Sequence, residues 1–145
     1  MKRYLTVLVF LILLIPFCKG QVEPDSLLRR CMKATGPASK YLKDFRVQLG
    51  EGNSGNDFRY RANLSLWKNT RYRFTMCTSD DSKGKLILNI KDDLNRSILS
   101  SYDGKTETVY PYVEFVCNKS GIYRLFYDFT GNNSGLGISI VSLVK

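Results

Sequence analysis

The chain has 145 residues, with 22 lysines and arginines, 13 aspartates and glutamates and no histidine, for a formal net charge of +9. This length suits one domain with a single core. The positive charge is spread along the chain rather than gathered in one run, so anionic partners are permitted and a nucleic-acid partner is not expected. Without histidine, Ser-His and Cys-His nucleophilic arrangements and histidine-ligated metal sites are excluded.

The first twenty residues read as a secretory signal peptide. Lys2 and Arg3 precede an apolar run from Leu5 to Phe17, and Cys18-Lys19-Gly20 places small residues three and one positions before Gln21. The run is too short for a comfortable membrane span and no second one follows, so no stable span is expected after cleavage. A lipoprotein alternative would acylate Cys18, but bulky Phe17 departs from the Leu-Ala-Gly type of processing site. The mature chain, residues 21–145, is thus expected in the periplasm, at the cell surface or secreted, with a net charge of +6. Its three cysteines imply one disulfide and one leftover thiol in an oxidising compartment. Cys77 and Cys117, both at strand ends, are the preferred pair, although Cys77 is out of phase with Phe74 while Cys117 shares a face with Phe115. Cys31, on a helix, is left over.

Residues 21–40 read as a lead-in and a short helix. Asp25 or Ser26 caps it, Leu27, Leu28, Cys31 and Met32 form its apolar face, and Gly36-Pro37 stops it. It is expected to cover an open end of the domain or, alternatively, to dock a partner. Residues 41–145 read as strands. A first one runs from Tyr41 to Leu49, followed by a glycine-rich loop from Gly50 to Asn56 that lacks the lysine-serine pair of a phosphate cradle. Phe58, Tyr60, Ala62, Leu64 and Leu66 then alternate inward, as do Tyr72, Phe74 and Met76. Matching inward to inward suggests a hairpin pairing Leu66 with Tyr72 and Leu64 with Phe74 about Lys68-Asn69-Thr70, with Asn69 left-handed. Strands follow at Leu86 to Lys91 and Ser97 to Ser101, a turn at Tyr102 to Lys105, and a strand ending at Cys117. The longest alternation comes next: Tyr123, Leu125, Tyr127 and Phe129 share one face while Arg124 and Asp128 point the other way. This is expected to be a central strand. Leu136, Ile138 and Ile140 alternate on the last one. About eight short strands with polar turns indicate an all-β antiparallel sandwich, jelly-roll-like, with one N-terminal helix.

The expected hairpin would set Trp67 against Arg71, Ser65 against Arg73 and Arg61 near Cys77 on its outer face. Arg59, Arg61, Arg71, Arg73 and Trp67 would then form one surface, suited to an anionic glycan or lipid headgroup, with Trp67 stacking on a sugar ring. The bland alternative is a solvated sheet face. The acidic turns at Asp80-Asp81 and Asp92-Asp93 do not match a calcium loop and read as ordinary turns. Paired carboxylates could act without histidine, but these lie in surface turns and Glu114 has no second carboxylate nearby. No catalytic residue, metal or cofactor is expected.

Leu66 to Phe74 and Lys119-Ser120-Gly121-Ile122-Tyr123 resemble a signature of secreted jelly-roll domains of the pre-peptidase C-terminal and GOLD type. The segment around Asp25-Ser26-Leu27, close behind the cleavage point, resembles small exported proteins of Gram-negative anaerobes. In those proteins an Asp-Ser/Thr-apolar triplet accepts an O-glycan, which would make Ser26 a modification site. The resemblance implies an exported, non-catalytic binding or accessory module of the cell envelope. The partner would be an envelope protein, or alternatively a polysaccharide held by Trp67 and the arginines; fold alone does not decide.

Overall fold

The structure, a computed structural model, describes residues 24–53 and 58–145. The expected signal segment with Cys18 lies outside them, as does part of the glycine-rich loop. Among the described residues one α-helix, α1 (Pro24–Ala34), precedes ten strands: β1 (Ser39–Leu49), β2 (Tyr60–Leu66), β3 (Arg71–Thr78), β4 (Leu86–Lys91), β5 (Ser97–Ser100), β6 (Tyr102–Asp103), β7 (Thr108–Val109), β8 (Tyr112–Val116), β9 (Gly121–Phe129) and β10 (Gly135–Val144). Sheet A has the order β1-β10-β3-β8, sheet B the order β2-β9-β4-β5, and β6 and β7 form a separate ribbon. All pairings are antiparallel, and β1 pairs with β10, β2 with β9, β3 with β8 and β4 with β5. The chain is thus one long hairpin wound into two facing sheets, which is jelly-roll topology.

Alternation in the sequence explains the core. Leu64 and Leu66 of β2, Tyr72, Phe74 and Met76 of β3, Leu86, Leu88 and Ile90 of β4, and Tyr123, Leu125, Tyr127 and Phe129 of β9 all point between the sheets and are buried. Tyr127 crosses that core to donate a hydrogen bond from its hydroxyl to Ser139 Oγ at 2.8 Å. The strand from Gly121 to Phe129 is interior to its sheet, as its pattern predicts.

The hairpin expected between β2 and β3 does not form. β2 pairs with β9 and β3 with β10 and β8, so the two lie in opposite sheets. Their inward residues do meet, but across the core rather than along a ladder. Apolar matching alone does not separate those two arrangements. Residues 67–70 form the arch between the sheets, and Asn69 takes the expected left-handed conformation at φ 63°.

Helix α1 starts at Pro24, ahead of the expected caps, in keeping with proline's preference for a first turn. It ends before Gly36, whose φ of +82° suits a residue without Cβ. Rather than closing an end of the sandwich, α1 lies on the outer face of sheet A. There Leu27 and Cys31 bury against Ile138 and Ile140 of β10, with Leu28, Cys77 and Leu136 alongside. The middle of β10 is therefore buried on both faces.

The disulfide joins Cys31 to Cys77, with Cα atoms 5.6 Å apart, and the buried thiol is Cys117. The expected Cys77–Cys117 pair is excluded by geometry. Cys117 sits beside the first residues of β3, where its N–H bonds Thr70 O at 3.0 Å, whereas Cys77 is near the far end of that strand. Roughly 20 Å of extended chain separates them, well beyond disulfide reach.

Candidate functional site

Opposite sheets place the five expected binding residues on different surfaces. Arg71 and Arg73 project from the outer face of sheet A toward Glu114 of β8, at 3.7 and 2.6 Å. Arg73 also donates to Thr35 O at 2.8 Å and lies 4.8 Å from the Tyr112 ring centroid. It fastens the segment after α1 to the sheet. Arg59 is likewise engaged: Nε and Nη2 donate to Asp128 Oδ1 at 2.9 and 2.6 Å, Nη1 to Gly50 O and Nη2 to Asn133 O. Asp128 is 4% exposed, so this is a buried ion pair tying three chain segments together. Trp67 lies at the β2–β3 arch, 70% exposed, beside a cleft it shares with Leu42 and Leu143. Of the four arginines, Arg71 is also exposed but pairs with Glu114, and Arg61 has no carboxylate within ion-pair distance among the described residues.

Arg61 belongs to a grid on the outer face of sheet B. In one row across the strands Arg61 is opposite Phe126, Phe126 opposite Asn89, and Asn89 opposite Ser100. In the next, Asn63 faces Arg124, Arg124 faces Lys91, and Lys91 faces Ser97. Strands about 4.8 Å apart thus carry three cations over a small area. The Arg61 guanidinium lies 5.5 Å and the Lys91 ammonium 4.9 Å from the Phe126 ring centroid, approaching from the strands on either side. The ring spaces these two cations and holds them out from the sheet. Like charges directly opposite on neighbouring strands destabilise a sheet, and Arg124 and Lys91 are such a pair. Among the described residues no carboxylate lies within ion-pair distance of Arg61, Lys91 or Arg124. The signal for this grid was legible as Arg124 and Phe126 on the outward phase of β9. What linked them to Arg61 and Lys91 was strand order, which alternation does not encode.

The acidic turns are occupied with local work. Asp80 pairs with Arg30 of α1 at 3.0 Å, and Asp93 with Lys119 at 3.3 Å. Asp92 accepts the N–H groups of Leu94 and Arg96 at 3.0 and 2.8 Å and the Arg96 guanidinium at 2.7 Å. Desolvation acts to raise its pKa, but these Arg96 and Leu94 bonds outweigh it and hold the carboxyl below the usual carboxylate range. Among the described residues no three His, Cys, Asp or Glu side chains are grouped to hold a metal ion, and no helix is long and apolar enough to cross a membrane. Ser26 is exposed in the first turn of α1.

Fold and surface together define a small disulfide-bonded jelly-roll sandwich with one helix-covered sheet and one open cationic sheet. Comparison with known proteins finds no matching family model, no similar curated protein and no similar solved structure.

Proposed function

We propose that this protein is an exported, non-catalytic binding module of the cell envelope that holds an acidic polysaccharide on the outer face of sheet B. The observation that carries the reading is the uncompensated Arg124–Lys91 opposition beside Arg61, on the sheet opposite the one that α1 covers. An arrangement that weakens the sheet on its own becomes favourable once an anionic group bridges the two cations. Asn63, Asn89, Ser97 and Ser100 in the same rows supply the amide and hydroxyl partners that sugar hydroxyls require. Export is supported by the apolar N-terminal run and by the disulfide, which suits an oxidising compartment. Glu51, Asp80, Asp92 and Asp93 in the described turns are engaged by ion pairs or backbone N–H groups, which supports a non-catalytic role.

A protein-binding accessory role is the second reading, favoured by β1, an eleven-residue strand at the edge of sheet A. The helix is the weaker docking element, because Leu27 and Cys31 are buried under it. Titrating the protein with polygalacturonate and with neutral dextran tests the first reading. The triple variant Arg61→Ala, Lys91→Ala, Arg124→Ala is expected to bind polygalacturonate about a hundredfold more weakly, at roughly 1 kcal/mol per exposed charge contact. Unchanged affinity in that variant, or equal binding of dextran, would remove sheet B from consideration.

A further inference from the structure

The two ends of the sandwich differ sharply in composition. At one end, residues 50–53, 79–85 and 130–134 read Gly-Glu-Gly-Asn, Ser-Asp-Asp-Ser-Lys-Gly-Lys and Thr-Gly-Asn-Asn-Ser, without a single large apolar side chain. At the other end meet the β2–β3 arch, the β4–β5 turn and the β8–β9 turn. Trp67 is 70% exposed there, Leu94 68% and Ile122 59%. These are not separate accidents of three loops. The Lys68 N–H bonds Ser120 Oγ at 2.7 Å and the Asn69 N–H bonds Cys117 O at 2.8 Å, joining the first turn to the third. The Lys119–Asp93 pair joins the third to the second. Leu94 and Ile122 line the same shallow cleft of about 240 Å³. The three protruding side chains thus sit on segments tied together at one end, Leu94 and Ile122 in one cleft and Trp67 in a second with Leu42 and Leu143.

We infer that this end is a membrane-docking tip that seats Trp67, Leu94 and Ile122 in the headgroup region of an anionic lipid bilayer. Three observations select a bilayer over a protein partner. The apolar residues are interleaved with Lys68, Asn69, Asn95 and Lys119, and lysine is depleted from the cores of protein interfaces but favoured at lipid surfaces. Trp67, apolar with one polar N–H, is the residue type that collects at membrane–water boundaries. The tip's own acids are neutralised, Asp92 by Arg96 and Asp93 by Lys119, while Lys40 and Lys68 have no carboxylate partner among the described residues and would stand at phosphate level. Ile122 lies on the outward phase of β9, two residues from Arg124, so the tip borders the Arg61–Phe126 grid while using none of its side chains.

Trp67 is the chain's single tryptophan and so reports on its own environment. The test follows its fluorescence in the protein as isolated from its own cells, with vesicles of phosphatidylethanolamine and phosphatidylglycerol and with vesicles of phosphatidylcholine. Expected is a blue shift with the anionic vesicles. It should require about tenfold more lipid in the Leu94→Asn/Ile122→Asn variant, whose changes are exposed and whose folding is checked by circular dichroism. Both chains keep the same N-terminus, so capture through the apolar leader cancels in the comparison. No shift with any vesicle, an equal response to phosphatidylcholine, an unaffected variant, or a shift produced only by polygalacturonate would each overturn the inference.

Discussion

The Asp128 carboxylate accepts from the Arg59 backbone N–H at 3.1 Å, from its side chain at 2.9 and 2.6 Å, and from the Phe129 N–H at 2.7 Å. Removing either member of such a pair strands the other in a poorly solvated site. Arg59→Ala is therefore expected to cost about 3–5 kcal/mol, measured by urea unfolding. Arg61→Ala, two residues along and on the open face, should shift the same transition by less than about 0.5 kcal/mol. An equal effect of the two changes would show that the ion pair is not what holds the β1–β2 connection to β9. The contrast also marks a limit of pattern reading. Arg59 and Arg61 share a face by period-2 counting, and nothing in the sequence separates the arginine that meets a buried carboxylate from the one that meets solvent.

At the scale of elements, alternation identified nearly every strand and its inward side chains, because one face of each strand must be buried. It did not identify partners. The facing of Leu64 and Leu66 toward Tyr72 and Phe74 is equally consistent with a ladder and with two packed sheets, and only strand order decides. β10 shows a second limit. Its obvious alternation, Leu136, Ile138 and Ile140, faces α1, while Gly137, Ser139 and Val141 fill the phase toward the other sheet. A Cβ on Gly137 would stand 2.8 Å from Leu86 Cδ2, so this quieter phase is also closely packed. Leu27 and Cys31 are the helix's buried anchors among its described side chains, and its covalent tie to β3 spans 46 residues. Closing a loop of that length restricts the unfolded chain by about 4 kcal/mol. The Cys31→Ser/Cys77→Ser variant should lose stability on that order while β1 to β10 keep their strand circular-dichroism signal. An unchanged unfolding midpoint would mean that the helix docks on Ile138 and Ile140 without help from the bond.

The whole molecule should have an unusually flat stability profile near neutral pH. With no histidine, no group of the chain has the ordinary histidine pKa from which stability usually varies between about pH 5 and 8. Below that window Asp92, Asp103 and Glu51 contribute. Each has its pKa lowered in the folded state: Asp103 chiefly by the Lys105 N–H, Glu51 chiefly by the Lys83 ammonium, and Asp92 by the Arg96 and Leu94 bonds despite desolvation. A depressed carboxylate contributes stability that is present above its unfolded value of about 4 and lost as pH falls through the folded one. Above the window the sign reverses. Desolvation, with the Cys117 thiol beside it, raises Tyr123 to about 12, and burial raises Tyr127. A raised tyrosine contributes stability that is present below its unfolded value of about 10 and lost as pH climbs toward the folded one. Urea midpoints measured across pH should therefore form a plateau between about pH 5 and 8, falling on both sides. The alkaline arm should shrink in Tyr123→Phe and the acid arm in Asp92→Asn. A midpoint that changes between pH 5 and 8 would place a titrating group where the described carboxylates and tyrosines provide none.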